Sequence, residues 1–351
     1  MSRKAYGYLA TVLLTVGLAF LLIGCDSGEK KTTSIKIGVS VYNQYDTFIS
    51  QLMDSFEKAA KEKETEEGIT ISVEVQNAAG SQSEQNNQVE DFINSGCDVI
   101  CVNLVDRTDP TMIIDKAKSA DVPVIFFNRE LVEEDLERWE KLYYVGAVAL
   151  ESGIMQGEIV TEAYEKNPEK LDKNGDGVLQ YVMLEGEAGH QDAIIRTEYA
   201  VNTILESGIR MEKLDHAIAN WNRGQAQAKM QQWIENFGDE IELVLSNNDD
   251  MALGAIDAYK AVDTPLSQYP FIAGIDGTEV GMEAIGEGTL GATVFNDGAG
   301  QAKQMLRLAF DLAAGKSFEA LCEATKQQWD VEYMEGSYVR LPHQKVKTEE
   351  R

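Results

Sequence analysis

Apolar residues along this chain recur at two periods that take turns. Ile35 to Tyr42 is an apolar run of strand length, and Phe48, Ile49, Leu52, Met53, Phe56 and Ala60 follow it at helical spacing. The same alternation predicts strand Ile69 to Val75, helix Ser83 to Asn94, strand Val99 to Asn103, helix Thr111 to Ala117 and strand Pro123 to Phe127. It continues as helix Glu151 to Tyr164, strand Gln180 to Leu184, helix Asp192 to Leu205, strand Lys213 to Ala219 and helix Arg223 to Asn236. Strand Glu242 to Leu245, helix Met251 to Ala261, strand Phe271 to Ile275, helix Thr278 to Ile285, strand Ala292 to Phe295 and helix Gln301 to Ala314 complete it. Apolar strands separated by amphipathic helices imply an α/β fold, with parallel sheets covered by helices on both faces. Roughly 325 residues follow the leader described below, too many for one comfortable core, so two doubly wound lobes are expected.

In parallel sheets ligands bind beyond the carboxyl ends of the strands, which makes the residues just after each predicted strand the candidates. They are Asp46 and Phe48, Asn103 and Asp106, His190, Asp192 and Arg196, Trp221, Asn248, Asp276 and Asn296. A pyranose presents a ring of hydroxyls that donate and accept, matching Asp and Asn side chains and an Arg fork, and its C–H faces suit flat rings such as Phe48 and Trp221. Each residue alone has an ordinary structural explanation: Asp46 or Asp192 as a helix cap, Asn103 in a turn, Phe48 and Trp221 in the core. Their joint recurrence at strand ends is what points to a site.

Residues 172–183 carry a second chemistry. Asp172, Asn174 and Asp176 place oxygens at positions 1, 3 and 5 of an EF-hand-type loop, Gly177 supplies the turn at 6, Val178 a backbone carbonyl at 7, and Gln180 an oxygen at 9. Position 12, where the bidentate Glu belongs, is Met183 on an apolar run, so a further carboxylate must come from elsewhere in the chain. The alternative is a polar Asp/Asn/Gly turn without metal.

At the N-terminus, Arg3 and Lys4 precede an apolar run from Leu9 to Ile23 that ends in Leu22-Ile23-Gly24-Cys25, the pattern of a lipoprotein leader. The leader is expected over 1–24, with Cys25 lipidated and residues 25–34 as a polar tether; an uncleaved membrane helix is the alternative. This places the folded part on the extracytoplasmic face of the cell membrane, touching it only through the anchor. The formal charge of −28 argues against nucleic acid and against anionic lipid surfaces. Cys97, Cys101 and Cys322 form no disulfide framework; on one strand Cys97 and Cys101 would lie about 13 Å apart, beyond bridging distance.

Several strings carry a resemblance: Ile-Gly-Val-Ser-Val-Tyr, Val-Asn-Leu-Val-Asp, Pro-Val-Ile-Phe-Phe-Asn, Tyr-Tyr-Val-Gly, Gly-Glu-Ala-Gly-His-Gln-Asp-Ala, Ser-Asn-Asn-Asp-Asp-Met-Ala, Gly-Ile-Asp and Thr-Val-Phe-Asn-Asp. Over about Ile35 to Pro342 the chain resembles the galactose/glucose-binding proteins of bacterial sugar uptake and chemotaxis, a group of type I periplasmic binding proteins. The resemblance implies a Venus-flytrap of two lobes joined by three hinge crossings. It implies sugar ligands at Asp46, Asn103, His190, Asp192, Arg196, Asn248, Asp276 and Asn296, with Phe48 and Trp221 stacking on the two sugar faces. It also implies a structural Ca2+ held by Asp172, Asn174, Asp176, the Val178 carbonyl, Gln180 and a distant Glu242. The ligand implied is D-galactose or D-glucose, delivered by a monomer to the membrane permease of an ABC importer, with a chemoreceptor as a further partner. Asn222 and Gln191 depart from the family pattern beside ligands, and the lipid anchor departs from its freely diffusing form. The lobes are expected at 35–122 plus 296–332 and at 123–295 plus 333–351.

Other classes fare worse. A repressor of this fold needs a helix-turn-helix where the leader stands. A glycosidase needs paired carboxylates flanking the bond to be broken, whereas Asn, His and Arg around Asp46, Asp192 and Asp276 are suited to keeping carboxylates ionised. No enzyme activity is therefore expected. A ribose or autoinducer binder is the nearest rival, and neither has the calcium loop.

Overall fold

The computed structural model describes residues 33–316, 334–335 and 337–347. The leader, Cys25, the tether up to residue 32, Cys322 and the C-terminal end from residue 348 lie outside them. Among the described residues no helix is long and apolar enough to cross a membrane.

The first sheet is built from β1 (Ser34–Val41), β2 (Thr70–Asn77), β3 (Val99–Val102), β4 (Val124–Phe127), β5 (Leu142–Ala147), β11 (Met334–Glu335) and β12 (Tyr338–Leu341), in the order β11-β12-β5-β4-β3-β1-β2. The second holds β6 (Leu179–Glu185), β7 (Met211–Ile218), β8 (Leu243–Ser246), β9 (Phe271–Ala273), β10 (Ala292–Phe295) and β13 (Gln344–Lys347), in the order β13-β10-β9-β8-β6-β7. Only β11–β12 and β10–β13 pair antiparallel. The helices are α1 (Thr47–Glu67), α2 (Gln82–Asn94), α3 (Thr111–Ala120), α4 (Glu133–Leu136), α5 (Ala149–Lys166), α6 (Pro168–Leu171), α7 (Gln191–Glu206), α8 (Arg223–Phe237), α9 (Asp249–Ala261), α10 (Glu279–Glu287) and α11 (Gly298–Ala313).

Unbroken apolar strands follow from burial on both faces. Along β3 and β4, Val99, Cys101, Ile125 and Phe127 join one core cluster with α1 and α11, while Ile100, Val102, Val124 and Phe126 join the opposite one. Phe56 and Phe92, fully buried on opposite sides of this sheet, each contribute about 1.5–3 kcal/mol. Cys97 and Cys101 are free and buried.

The chain passes between the sheets three times, at Val148, at 296–297 and at Pro342–His343, as expected. The lobe boundaries need correction. A cut at 122/123 would divide the first sheet, because β4 and β5 pair onto β3 and extend it. The sequence reading passed over Leu142–Ala147 as a strand, although its Tyr-Tyr-Val-Gly string is fully apolar in position and buried. The tail likewise divides, β12 pairing with β5 and β13 with β10. The first lobe is thus 34–147 with α11 and β12, and the second 149–295 with β13. His343, at the third crossing, is buried and bonds Glu151 beside the first through its backbone N–H (3.1 Å) and Nδ1 (3.0 Å).

Candidate functional site

Polar residues that cap helices at their N-termini here also face a cleft, because the helix starts stand at the carboxyl ends of the strands. Asp46 follows β1 and caps α1, its Oδ1 accepting from Ile49 N (2.9 Å) while Oδ2 accepts from the Tyr42 hydroxyl (2.6 Å). His190 caps α7, with Nδ1 accepting from Asp192 N at 3.1 Å, which puts the ring proton of the neutral form on Nε2. Burial lowers the His190 pKa to about 4, so the ring is neutral at physiological pH. Asn248 caps α9 through Met251 N (3.0 Å).

Asp46, Phe48, His190, Asp192, Arg196, Trp221, Asn248 and Asp276 line one cleft of about 370 Å3 of empty space, its open mouth included. Phe48 comes from the first lobe and Trp221 from the second. Trp221 has φ +60° and follows Asn220 at φ +52°, a left-handed pair that costs of order 1–3 kcal/mol per residue. The indole meets the His190 ring edge-on at 5.1 Å and packs against Gly186, where any Cβ would lie 2.1 Å from the ring. Arg196 is buried; its Nη1 donates to Asn247 O (2.9 Å) and stands 3.8 Å from Asp276, Nη2 stands 3.9 Å from Asp192, and Nε has no hydrogen-bond partner. Burial pushes the Asp276 carboxyl well above the usual carboxylate range.

Two further predicted ligands, Asn103 and Asn296, bond to neighbouring groups of the protein. The Asn103 side chain donates to Phe127 O (3.1 Å) and Asn128 Oδ1 (3.2 Å), tying β3 to β4, and its own buried Oδ1 has no partner. Asn296 accepts from Gln301 Nε2 (2.6 Å) at the second crossing. Asp106 binds Thr108 and stays in its turn.

Three lining residues were missed: Tyr42, Asn128 and Arg129. Asn128 and Arg129 directly follow β4, so the strand-end rule applied to Pro-Val-Ile-Phe-Phe-Asn would have found both. Arg129 lies over the Tyr42 ring (3.5 Å to its centre), donates to Val105 O (3.1 Å) and pairs with Glu187 of the second lobe at 3.0 Å. A second contact crosses the cleft, Thr47 Oγ1 donating to Asp250 Oδ2 at 2.6 Å. Behind the site, Asp249 accepts from Thr293 Oγ1 (2.7 Å) and Thr278 N (2.9 Å), and burial lifts its pKa to about 7.

In the loop at 172–180 the predicted ligand side chains bond mainly to the loop's own backbone. Gly175 and Gly177, both near φ +72°, turn the backbone so that their N–H groups reach Asp172 Oδ1 (2.8 Å) and Oδ2 (2.9 Å). Gln180 Nε2 donates to Asp176 Oδ2 (3.0 Å), and Asn174 Nδ2 to Gln180 Oε1 (3.1 Å). Glu242 comes from across the sheet, its carboxylate accepting from Lys173 N (2.6 Å), Asn174 N (3.1 Å) and Gln180 N (3.2 Å). Among the described residues no group of three His, Cys, Asp or Glu side chains is placed to hold a metal ion, so Asp172, Asp176 and Glu242 do not converge as a ligand set in this structure. By residue type alone, carboxylate, amide and backbone carbonyl oxygens are the donors a hard cation such as Ca2+ takes.

Residues 37–317 match the model of the periplasmic binding protein domain. The D-galactose/methyl-galactoside binding periplasmic protein MglB of Haemophilus influenzae is 36% identical over 95% of each chain, and a putative rhizopine-binding protein of Rhizobium meliloti is 31% identical over 87% of this chain and 91% of its own. Among solved structures, an ABC transporter solute-binding protein of Bacillus halodurans with bound myo-inositol is 30% identical, with a TM-score of 0.70 over 93% of this chain and 96% of its own. These relatives are binding proteins, not enzymes. With its two α/β lobes, three crossings and cleft between sheets, the chain belongs to the type I periplasmic binding proteins.

Proposed function

We propose that the chain captures D-galactose or D-glucose in the interlobe cleft and delivers it to the permease of an ABC importer. The supporting observation is the convergence on one cleft of Asp46, His190, Asp192, Arg196, Asn248 and Asp276 between two ring planes, Phe48 and Trp221, contributed by different lobes. Carboxylates and a guanidinium bond sugar hydroxyls, and the rings cover apolar sugar faces. A ligand held from both lobes favours the closed arrangement by its differential affinity, and the permease reads closure. The relatives are named for polyhydroxylated rings of differing kinds, D-galactose and methyl-galactoside for one and the cyclitol myo-inositol for another.

The reading extends to Ca2+ held by Asp172, Asn174, Asp176, the Val178 carbonyl, Gln180 and Glu242. There it ties the 172–180 loop to the start of β8, away from the cleft. It extends also to a lipid anchor at Cys25 on the extracytoplasmic face and to a chemoreceptor as second partner; a monomer suffices for all of this. The test is calorimetric titration of the chain from residue 26 onward with galactose, glucose, ribose and myo-inositol in calcium buffer. One-to-one binding of a hexose with ribose silent supports the proposal. Binding of myo-inositol alone replaces the ligand, and silence to all four overturns the site reading.

A further inference from the structure

Most polar side chains in the cleft are committed within their own lobe, and Arg129 is not. The first lobe holds its guanidinium through the Tyr42 ring beneath it and the Val105 carbonyl at Nη1, and with both lobes in place the residue is 4% exposed. Its Nη2 meets Glu187, which follows β6 in the second lobe. We infer that Arg129 and Glu187 form an interlobe clasp that sets how readily the cleft closes, and that Arg129 also positions Asp46 through Tyr42.

The physical argument has two parts. A buried guanidinium with one of its donor faces unpaired is costly, and the partner that satisfies it stands on the other lobe. Closing the lobes therefore brings a charge-assisted hydrogen bond that opening removes, whatever occupies the cleft. Glu187 keeps 35% of its side chain exposed, so water replaces much of its half of the bond when the lobes part, and the pair biases closure without locking it. Thr47 and Asp250 cross the cleft as a second, independent contact.

The positioning role follows from the chain of contacts Glu187, Arg129, Tyr42, Asp46. The cation over the ring restrains Tyr42. The Tyr42 hydroxyl then holds Asp46 Oδ2 at 2.6 Å while the α1 cap holds Oδ1, leaving Asp46 one orientation in which to meet a ligand. Closure and carboxylate orientation are thus coupled through one side chain. Because the apparent affinity of a binding protein scales with the population of its competent state, a clasp that favours closure raises affinity without touching the ligand. This second consequence rests on the hexose reading; the clasp itself does not.

The decisive variant is Glu187→Gln, which keeps the shape and leaves the Arg129, Tyr42 and Asp46 stack in place; Arg129→Gln and the double variant complete a cycle. Small-angle X-ray scattering of the chain from residue 26 onward, without sugar, reads the closed fraction, and calorimetry reads hexose affinity. We expect Glu187→Gln to lower the ratio of closed to open molecules severalfold and to weaken hexose binding by roughly 3–10-fold, with the double variant no worse than Arg129→Gln alone. A closed fraction unchanged by Glu187→Gln, or single effects that simply add in the double variant, would overturn the clasp. If no hexose binds the parent protein, the scattering arm still decides the matter, so failure of the ligand reading and failure of the clasp are separable.

Discussion

The Asp249 carboxyl makes a measurable demand on stability. It is fully buried at the start of α9, accepts from Thr293 Oγ1 and Thr278 N, and burial raises its pKa from 3.8 to about 7. Between those values the folded chain holds a proton that the unfolded chain has released. This group therefore stabilises the fold least at high pH: its contribution falls as pH rises from near 4 to near 7 and is level above that. From pH 5 to pH 7 the loss is about 2–3 kcal/mol at 1.36 kcal/mol per pH unit. Asp249→Asn removes the titration, leaving an amide whose NH2 replaces one acceptor, so near pH 5 the variant is less stable than the parent by about 1–3 kcal/mol. His190 works in the opposite direction, since its lowered pKa costs stability as pH falls below 6.5. The difference between parent and variant isolates Asp249. Urea unfolding at pH 5, 6, 7 and 8 in calcium buffer measures it: the gap between the two proteins should shrink by about 2–3 kcal/mol as pH rises from 5 to 8. A constant gap across that range would refute the reasoning.

Other outcomes are open to direct measurement. Asp46→Ala should weaken hexose binding by at least about 1.5 kcal/mol, more than tenfold, in calorimetry, because a charge-assisted hydrogen bond is lost; unchanged affinity removes Asp46 from the site. His190 should gain a proton only toward pH 4, where Nδ1 can no longer accept from Asp192 N and hexose affinity falls; a His190 ring resonance that titrates near 6.5 in NMR would mean a solvated ring. Chelating calcium should lower the melting temperature and speed hydrogen exchange at 172–180 while a hexose still binds one-to-one; loss of binding with no loosening there would contradict a bracing role. Gly274→Ala should destabilise the second lobe by about 1–3 kcal/mol in urea unfolding, since its Cβ would lie 2.2 Å from Asp249 Oδ1; a neutral result would show that the Asp249 pocket yields.

Much of this architecture was legible in the sequence because strands buried on both faces and amphipathic helices leave different periods. Strand-end logic singled out Asp46, Phe48, His190, Asp192, Arg196, Trp221, Asn248 and Asp276, which line one cleft because a residue at the end of a parallel strand is placed by topology. Asn103 and Asn296 occupy the expected segments, where the Asn103 NH2 is taken by Phe127 O and Asn128 Oδ1 and the Asn296 Oδ1 by Gln301, while the buried Asn103 Oδ1 keeps no partner. Short-range sequence carries no record of which neighbour a side chain will choose. Tyr42 was passed over because its role arises from a ring–cation stack with Arg129, a long-range pairing with no local pattern, whereas Arg129 itself lay within reach of the strand-end rule. The lobe boundary failed for a plainer reason: Leu142–Ala147, unnoticed as a strand, continues the first sheet.

The three passages between lobes also dictate an order of assembly during synthesis. The second lobe lies almost wholly in one stretch, 149–295, and needs only β13 from the tail to complete its edge. The first lobe begins earlier and finishes later. Its sheet exposes Ile37, Val39, Val99, Cys101 and Ile125 on the face that α1 shares with α11, and α11 is made only after the whole second lobe. The half translated first must wait with an apolar face uncovered while the half translated second can already fold, the reverse of the usual N-terminal-first progression. A chain stopped before Gly298 would keep a nearly complete second lobe and leave a first lobe prone to aggregate.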